Sequence, residues 1–274
     1  MKKYRLIKIN LVWLLLFCTS RAAQDALEDY KLLTCDIRPL KRLGYDRSLT
    51  RPHLPFKEGT SLNWSGYVAA TNFNSPAPDT VNKITGNWVV PTVSPTNNNA
   101  YCSIWIGIDG SSDNTVEQIG TEHDWSNGSQ QNYAWFEMYP NYPFEIIGFP
   151  LHVGDNISAL IEYVGNSTFK LSLINNTRKV HSVIPYQYTK SKLALRSSAE
   201  WIVEAPFSTH VLPLSHFSPV KFSNCSAVIC NTNLTLAQAV HKSLTMVTNT
   251  NVAKAIPSTL LNGGTSFDVT WHHE

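Results

Sequence analysis

Two glutamates share one face of a strand-like stretch that ends at Glu204. With a period of two, Glu200, Ile202 and Glu204 face one way, and the residues between them face the other. Glutamate is rarely placed inside a protein unless something there requires it. The exposed face of an antiparallel sheet is ordinarily polar, however, so this stretch alone is consistent with either a site or a solvated surface.

Two other stretches combine tryptophan with polar and acidic residues at the same spacing. Aromatic side chains supply contact area and carboxylates supply hydrogen bonds or charge, which suits a groove that holds an extended polymer. Because the pattern recurs, it favours a cleft over the decoration of an exposed sheet. The mixed faces comprise Ser103, Trp105, Gly107 and Asp109 in one stretch, and Tyr133, Trp135, Glu137 and Tyr139 in the other.

Short alternating runs, broken by Asn, Gly, Pro and Ser, would position these residues. From Ser61 onward the pattern predicts an all-β fold, an antiparallel β-sandwich or barrel, with one possible short helix at Leu234–His241. The predicted strands are Trp64–Ala70, Lys83–Val89, Ser103–Ile108, Thr115–Ile119, Ala134–Tyr139, Asn156–Tyr163, Thr168–Asn175, Lys179–Pro185, Ala199–Glu204, Val220–Ser223, Leu244–Val247 and Ser266–Thr270.

Charge divides the chain into a basic leader and a mildly acidic domain. Six basic residues and one acid lie between Arg38 and Lys57, whereas 14 acids and 10 bases lie between Thr60 and Glu274. The net charge of +2 gives no reason to expect nucleic acid as a partner.

The N-terminus has the pattern of a secretory signal. A positive region with Lys2, Lys3 and Arg5 precedes the apolar run Leu11–Phe17, which is too short to span a bilayer comfortably, and small residues follow it. We therefore predict a signal peptide at residues 1–22, a propeptide or basic linker at residues 23–58 and one β-sandwich domain at residues 59–274. The protein is expected to be secreted, extracellular or periplasmic, with no membrane attachment after signal cleavage.

Several familiar chemistries have no motif here. The chain lacks Gly-x-Ser-x-Gly, His-Glu-x-x-His and the Asp-Thr/Ser-Gly pair of two-aspartate proteases. No cysteine spacing resembles a zinc site, so neither a metal nor a cofactor is expected. Export permits disulfides among Cys35, Cys102, Cys225 and Cys230, and the last two could close a short loop, but the sequence leaves the pairing open.

Six short motifs occur in an order that resembles the glutamic peptidases, or eqolisins, and the resemblance runs from about Ser61 to Cys225. The later Phe217-Ser218-Pro219 fits the same pattern. The motifs are Asn63-Trp64-Ser65-Gly66-Tyr67, Gly86-Asn87-Trp88-Val89-Val90-Pro91, Trp105-Ile106-Gly107-Ile108-Asp109-Gly110, Glu117-Gln118-Ile119-Gly120, Ala134-Trp135-Phe136-Glu137-Met138-Tyr139-Pro140 and Ala199-Glu200-Trp201-Ile202-Val203-Glu204.

The resemblance implies a monomeric acid endopeptidase that acts on polypeptides and is built on two large curved antiparallel sheets, a concanavalin-like jelly roll. It implies Gln118 and Glu204 as the catalytic pair, and it sets Glu117 aside as the wrong residue type for the glutamine's role. Tyr133 stands where the fungal enzymes often have aspartate. The implied substrate-binding residues are Trp64, Asp109, Asp124, Trp135 and Glu137, although Asp124 follows a stretch that is longer than the fungal pattern.

Peptide hydrolysis needs a base for water, an acid for the departing amine and a partner for the oxyanion. A glutamate, with a reference pKa of about 4.3, can serve first as the base and then as the acid in a mildly acidic medium. Gln118 would offer an amide N–H to the oxyanion. The basic segment Arg38–Lys57 could lie along such a groove as an inhibitory propeptide, or it could be a simple linker.

A secreted carbohydrate-binding sandwich would also carry an aromatic groove. A glycoside hydrolase could use Glu137 and Glu204 as carboxylates about 5–10 Å apart. The ordered motifs favour the peptidase over both alternatives.

Overall fold

A computed structural model describes residues 29–40, 59–188 and 194–274. The fold below is that of the compact unit that begins at Leu32. The strands are β1 (Lys31–Leu32), β2 (Ile37–Pro39), β3 (Thr60–Ser61), β4 (Trp64–Ala70), β5 (Val81–Val89), β6 (Ser103–Ile108), β7 (Val116–Ser126), β8 (Ser129–Tyr139), β9 (Phe144–Ile146), β10 (Asn156–Gly165), β11 (Thr168–Asn175), β12 (Val180–Gln187), β13 (Ser198–Glu204), β14 (Val220–Ile229), β15 (Thr232–Thr235), β16 (Val240–Val247), β17 (Ala253–Pro257) and β18 (Phe267–Trp271).

The strands form two sheets that pack face to face. The front sheet has the antiparallel order β16-β4-β13-β6-β7-β8-β9-β2. The back sheet has the antiparallel order β12-β11-β10-β5-β14-β15. Strands β17 and β18 join β16 of the front sheet to β14 of the back sheet. The predicted all-β antiparallel sandwich is therefore confirmed.

The main core lies between the sheets because each contributes a largely apolar inner face. Ile104 and Ile106 of the front sheet and Ile161 of the back sheet are wholly buried in one cluster. Two tryptophans also tie the layers by hydrogen bonds, since Trp88 Nε1 donates to Thr121 Oγ1 at 2.8 Å and Trp201 Nε1 donates to the Thr85 carbonyl at 2.8 Å.

The outer face of the front sheet carries a second, smaller apolar cluster. Its buried members are Leu40, Trp64, Val68, Trp105, Val116, Trp135, Ile202 and Leu244. A sheet face that was merely exposed to solvent would not bury three tryptophans, so this face forms the floor of a recess.

The hairpin between β7 and β8 sets the register of that face. Asn127 and Gly128 form its two-residue loop, and both have positive φ, 54° and 77°. Asn-Gly is the favoured pair for the tight turn that matches strand twist. β7 therefore continues to Ser126 in one paired strand, well beyond the predicted end at Ile119.

Residues 234–241 end β15, turn and begin β16, so the possible helix at Leu234–His241 is absent. The sequence left the disulfide pairing open, and in the structure Cys35, Cys102, Cys225 and Cys230 are all free. Cys225 is buried, whereas Cys230 is exposed just beyond the end of β14.

The predicted signal peptide and most of the basic segment fall outside the described residues. Within the described part of the chain, no helix is long and apolar enough to cross a membrane.

At Gly120 the fold leaves no room for a side chain. A Cβ added there would lie 2.3 Å from the Ile104 carbonyl oxygen and 2.6 Å from Trp105 Cβ. We expect Gly120→Ala to lower the free energy of unfolding by about 1–3 kcal/mol, as overpacking does. Urea denaturation checks this value, and an unchanged midpoint would contradict the close approach.

Candidate active site

The register of four front-sheet strands aligns the predicted residues in three rows on the recessed outer face. The first row is Glu204, Ser103, Glu122 and Tyr133. The second is Ile202, Trp105, Gly120 and Trp135. The third is Glu200, Gly107, Gln118 and Glu137. Gln118 and Glu204 therefore lie on the same face of one sheet.

Both carboxylate oxygens of Glu204 accept hydrogen bonds from neutral N–H groups. Asn63 Nδ2 donates to Oε1 at 3.2 Å, and Trp105 Nε1 donates to Oε2 at 2.9 Å. The Asn63 carbonyl also accepts the Ala205 backbone N–H, which ties the two chain segments together beside the carboxylate. Glu204 is 5% exposed, so it is reachable from the recess but largely desolvated.

The Gln118 side chain is held by Glu137, its neighbour in the third row. Its Nε2 donates to Glu137 Oε2 at 2.7 Å, and its Oε1 has no hydrogen-bond partner among the described residues. An amide nitrogen carries two hydrogens, so the bond to Glu137 leaves one N–H for another acceptor.

The indole of Trp105 occupies the diagonal between Glu204 and Gln118. Its nitrogen edge binds Glu204, and its opposite edge overlies Gly107, where an added Cβ would lie 2.8 Å from the ring. The backbone positions of Glu204 and Gln118 are four residues apart along the strand direction, which is about 13 Å. They are two strands apart across the sheet, which is about 10 Å. Both must therefore lean over the indole to reach one small molecule between them.

The remaining predicted substrate residues are distributed unevenly. Trp64 meets Trp105 edge to face at 4.9 Å, and Trp135 lies in the same cluster. Asp124 accepts a hydrogen bond from Tyr133 at 3.0 Å near the end of the hairpin. Asp109 is fully buried at the end of β6, where its carboxylate accepts the backbone N–H groups of Arg196 and Ser197.

Glu122 and Asn63 are two site residues that the sequence reasoning missed. Glu122 lies in the row of Glu204 and accepts a hydrogen bond from Ser103 Oγ at 2.5 Å. The Asn127-Gly128 hairpin signal could have placed Glu122 opposite Tyr133 by counting back along the ladder. Asn63 could have been suspected because it directly precedes Trp64.

Two buried carboxyl groups near this recess have raised pKa values. Burial raises the pKa of Glu200 well above its ordinary value, and the charges of Asp109, Asp113 and Glu117 add to the effect. Burial also raises the pKa of Asp109 to about 7, with Asp113 contributing and the backbone bonds from Ser197 and Arg196 opposing.

Glu117 lies on the opposite face of β7, in the core. There Tyr188 donates a hydrogen bond to Oε1 at 2.5 Å. Burial raises the pKa of Glu117 well above its ordinary value, and nearby Asp109 raises it further. Glu117 therefore does not point into the recess.

Known proteins share this sequence pattern. The model of the Peptidase A4 family matches residues 62–271. Aspergillopepsin-2 of Aspergillus niger is 26% identical over 205 residues, which cover 67% of this chain and 70% of that protein. Scytalidopepsin B of Scytalidium lignicola is 28% identical over 192 residues, with 67% and 70% covered.

Solved structures share the fold. Scytalido-glutamic peptidase with a transition state analog inhibitor matches with a TM-score of 0.65 and 22% identity, covering 77% of this chain and 98% of that one. Aspergilloglutamic peptidase from Aspergillus niger matches with a TM-score of 0.57 and 23% identity, covering 63% and 99%.

The buried acids predict a protein that loses stability as the pH rises. A carboxyl whose folded pKa is raised contributes fully below its unfolded pKa and loses that contribution as the pH rises through the folded value. We therefore expect the melting temperature to fall from pH 4 to pH 7, and Glu200→Gln to reduce this fall by several degrees, at roughly 2–4 °C per kcal/mol.

Differential scanning calorimetry at several pH values measures the effect, with Glu162→Gln as the control on a half-buried glutamate of the back sheet. An equal fall in wild type and Glu200→Gln would contradict the role assigned to Glu200.

Proposed function

Because the chain belongs to the Peptidase A4 family, the glutamic peptidases, it is a glutamic-type endopeptidase, and we propose that it is a secreted acid enzyme in which Glu204 and Gln118 cleave the peptide bond. The observation that carries the proposal is the pair of N–H donors on Glu204, on the same recessed face as a glutamine with an uncommitted N–H.

In the proposed mechanism, a water lies over the Trp105 indole between the two side chains. Ionised Glu204 takes a proton from this water as the water attacks the scissile carbonyl carbon. The carbonyl oxygen becomes an oxyanion and accepts a hydrogen bond from the second N–H of Gln118 Nε2. Glu204 then returns the proton to the departing amine, which restores the carboxylate.

Hydrogen bonds to a charged carboxylate favour its ionised form. Asn63 and Trp105 therefore help to keep Glu204 available as a base in an acidic medium. Glu137 fixes the orientation of the Gln118 amide, which cannot titrate, so the oxyanion donor survives acidity that would protonate a second carboxylate.

The substrate is proposed to be an extended polypeptide held against Trp64 and Trp135, with polar contacts from Asp124 and Glu137. Asp109 is assigned an indirect part, because it fixes the segment that leads into β13. The positive, apolar and small-residue regions at the N-terminus support secretion, with residues 23–58 as the propeptide and residues 59–274 as a monomeric peptidase domain.

Removing either proposed catalytic group should abolish turnover. Gln118→Ala loses the oxyanion donor, which typically costs about 10²–10³ in kcat, and Glu204→Gln loses the base altogether. Cleavage of denatured protein at acidic pH by each purified variant measures this, and circular dichroism confirms the fold.

Glu122→Gln is the matched comparison, because Glu122 is the carboxylate that shares the row of Glu204. Loss of activity in Glu122→Gln with retention in Gln118→Ala would transfer the second catalytic role to Glu122. Full turnover in Glu204→Gln would overturn the mechanism.

Asn63→Leu should move the acidic limb of the kcat/KM profile to higher pH, because ionised Glu204 loses one of its two donors. The expected loss is greatest at the acid end and amounts to about tenfold, in line with a hydrogen bond to a charged group. Asn233→Ala, on an exposed strand, is the control. A uniform loss at every pH would assign Asn63 a purely structural part.

A further inference from the structure

At one edge of the front sheet, the short strand β9 pairs with a segment that precedes the sandwich domain in the sequence. β2 pairs antiparallel with β9, so that Arg38 lies opposite Glu145. Two further backbone bonds extend the pairing, from Ile147 N to the Asp36 carbonyl at 2.8 Å and from Leu40 N to the Pro143 carbonyl at 2.9 Å. Residues 36–40 therefore dock by strand addition, a common mode of peptide recognition.

The register places this segment on the recessed face. Trp135 lies opposite Glu145 in the pairing of β8 with β9, and Glu145 lies opposite Arg38. Lateral neighbours in a sheet share a face, so the row through Trp105 and Trp135 continues to Arg38 at the edge.

Two side chains of the segment, two positions apart, are recognised on that face. The Arg38 guanidinium binds Glu145 with two N–H groups, at 2.7 Å and 2.8 Å, in the fork geometry that suits a carboxylate. Leu40 is 5% exposed and belongs to the cluster that contains Trp64, Trp105 and Trp135. The docked pattern is thus basic, any residue, aliphatic.

Residues 36–40 are held more weakly than a strand in the interior of the sheet. All three residues of β2 are exposed, and an exposed ion pair contributes little to stability. The family model matches residues 62–271, so the segment precedes the matched part of the chain. A weakly held strand in a recess that contains the proposed substrate residues is in a position to exchange with another chain.

We infer that the β9 edge, with Glu145 and the recess that holds Leu40, is a docking site for extended polypeptide substrates with a basic residue two positions before an aliphatic one. Residues 36–40 fill the site within the chain itself, and a substrate enters when they are displaced. This inference rests on the proposed function for the identity of the ligand, but the docking itself does not depend on catalysis.

Binding of a labelled peptide tests the site. The probe is fluorescein-labelled Ile-Arg-Pro-Leu-amide, and its partner is the full-length protein carrying Leu40→Asp, which unseats the internal segment. We expect anisotropy to report binding to this variant and weaker binding to wild type. Arg38→Ala provides a second, milder way to loosen the segment if Leu40→Asp does not fold.

Charge recognition by Glu145 makes the test specific. Replacing arginine by glutamine in the probe should weaken binding by up to about fivefold, as for an exposed ion pair. Glu145→Gln, added to the Leu40→Asp protein, should remove this preference, whereas Glu162→Gln in the same background should leave it unchanged.

No binding to either loosened variant, or an arginine preference that survives Glu145→Gln, would overturn the inference. Because anisotropy needs no turnover, binding by a protein that cleaves nothing would defeat the proposed function and leave the docking site standing. Cleavage without this binding would do the reverse.

Discussion

The hydrogen-bonded register of β13, β6, β7 and β8 is the constraint on which the site depends. Each strand alternates between the core and the recess, so a slip of one residue would exchange the two faces. A slip of two residues would keep the faces but separate Glu204 from its row partners. Between β7 and β8, the Asn127-Gly128 turn prevents both slips by closing the hairpin with two residues. The turn thus determines which β8 residues lie beside Gln118 and Glu122 on the recessed face.

Missing side chains matter as much as present ones. Gly107 and Gly120 flank Trp105 on the recessed face, and an added Cβ at either would approach that residue to less than 3 Å. The indole can therefore lie flat enough to bind Glu204 with one edge while its other edge passes beneath the position of Gln118. The two glycines come from different motifs, Gly107 from the strand of Trp105 and Gly120 from the neighbouring β7, and the sheet register brings them together around the indole.

The period of two predicted the sandwich and the shared face of Glu200, Glu204, Trp105 and Glu137, because alternation is a local property of each strand. It could not predict lateral order, since the neighbours of Glu204 come from strands far away in the sequence. Glu122 was missed for this reason. It was also missed because the predicted strand ended at Ile119, whereas β7 continues to Ser126. Asp109 follows the end of β6 with a positive φ of 69°, where the alternation of the strand no longer applies, and the chain at 196–197 covers its carboxylate.

Glu200 and Glu204 show how one strand can hold two carboxyl groups in different electrostatic environments. They share a face and lie four residues apart along β13, yet their surroundings differ. Burial and three nearby acids raise the pKa of Glu200, which favours its neutral form. Glu204 instead receives N–H donors from Asn63 and Trp105, which favour the charged form. The proposed mechanism needs an ionised base in an acidic medium, and the divergent environments of the two carboxyl groups on β13 meet this need.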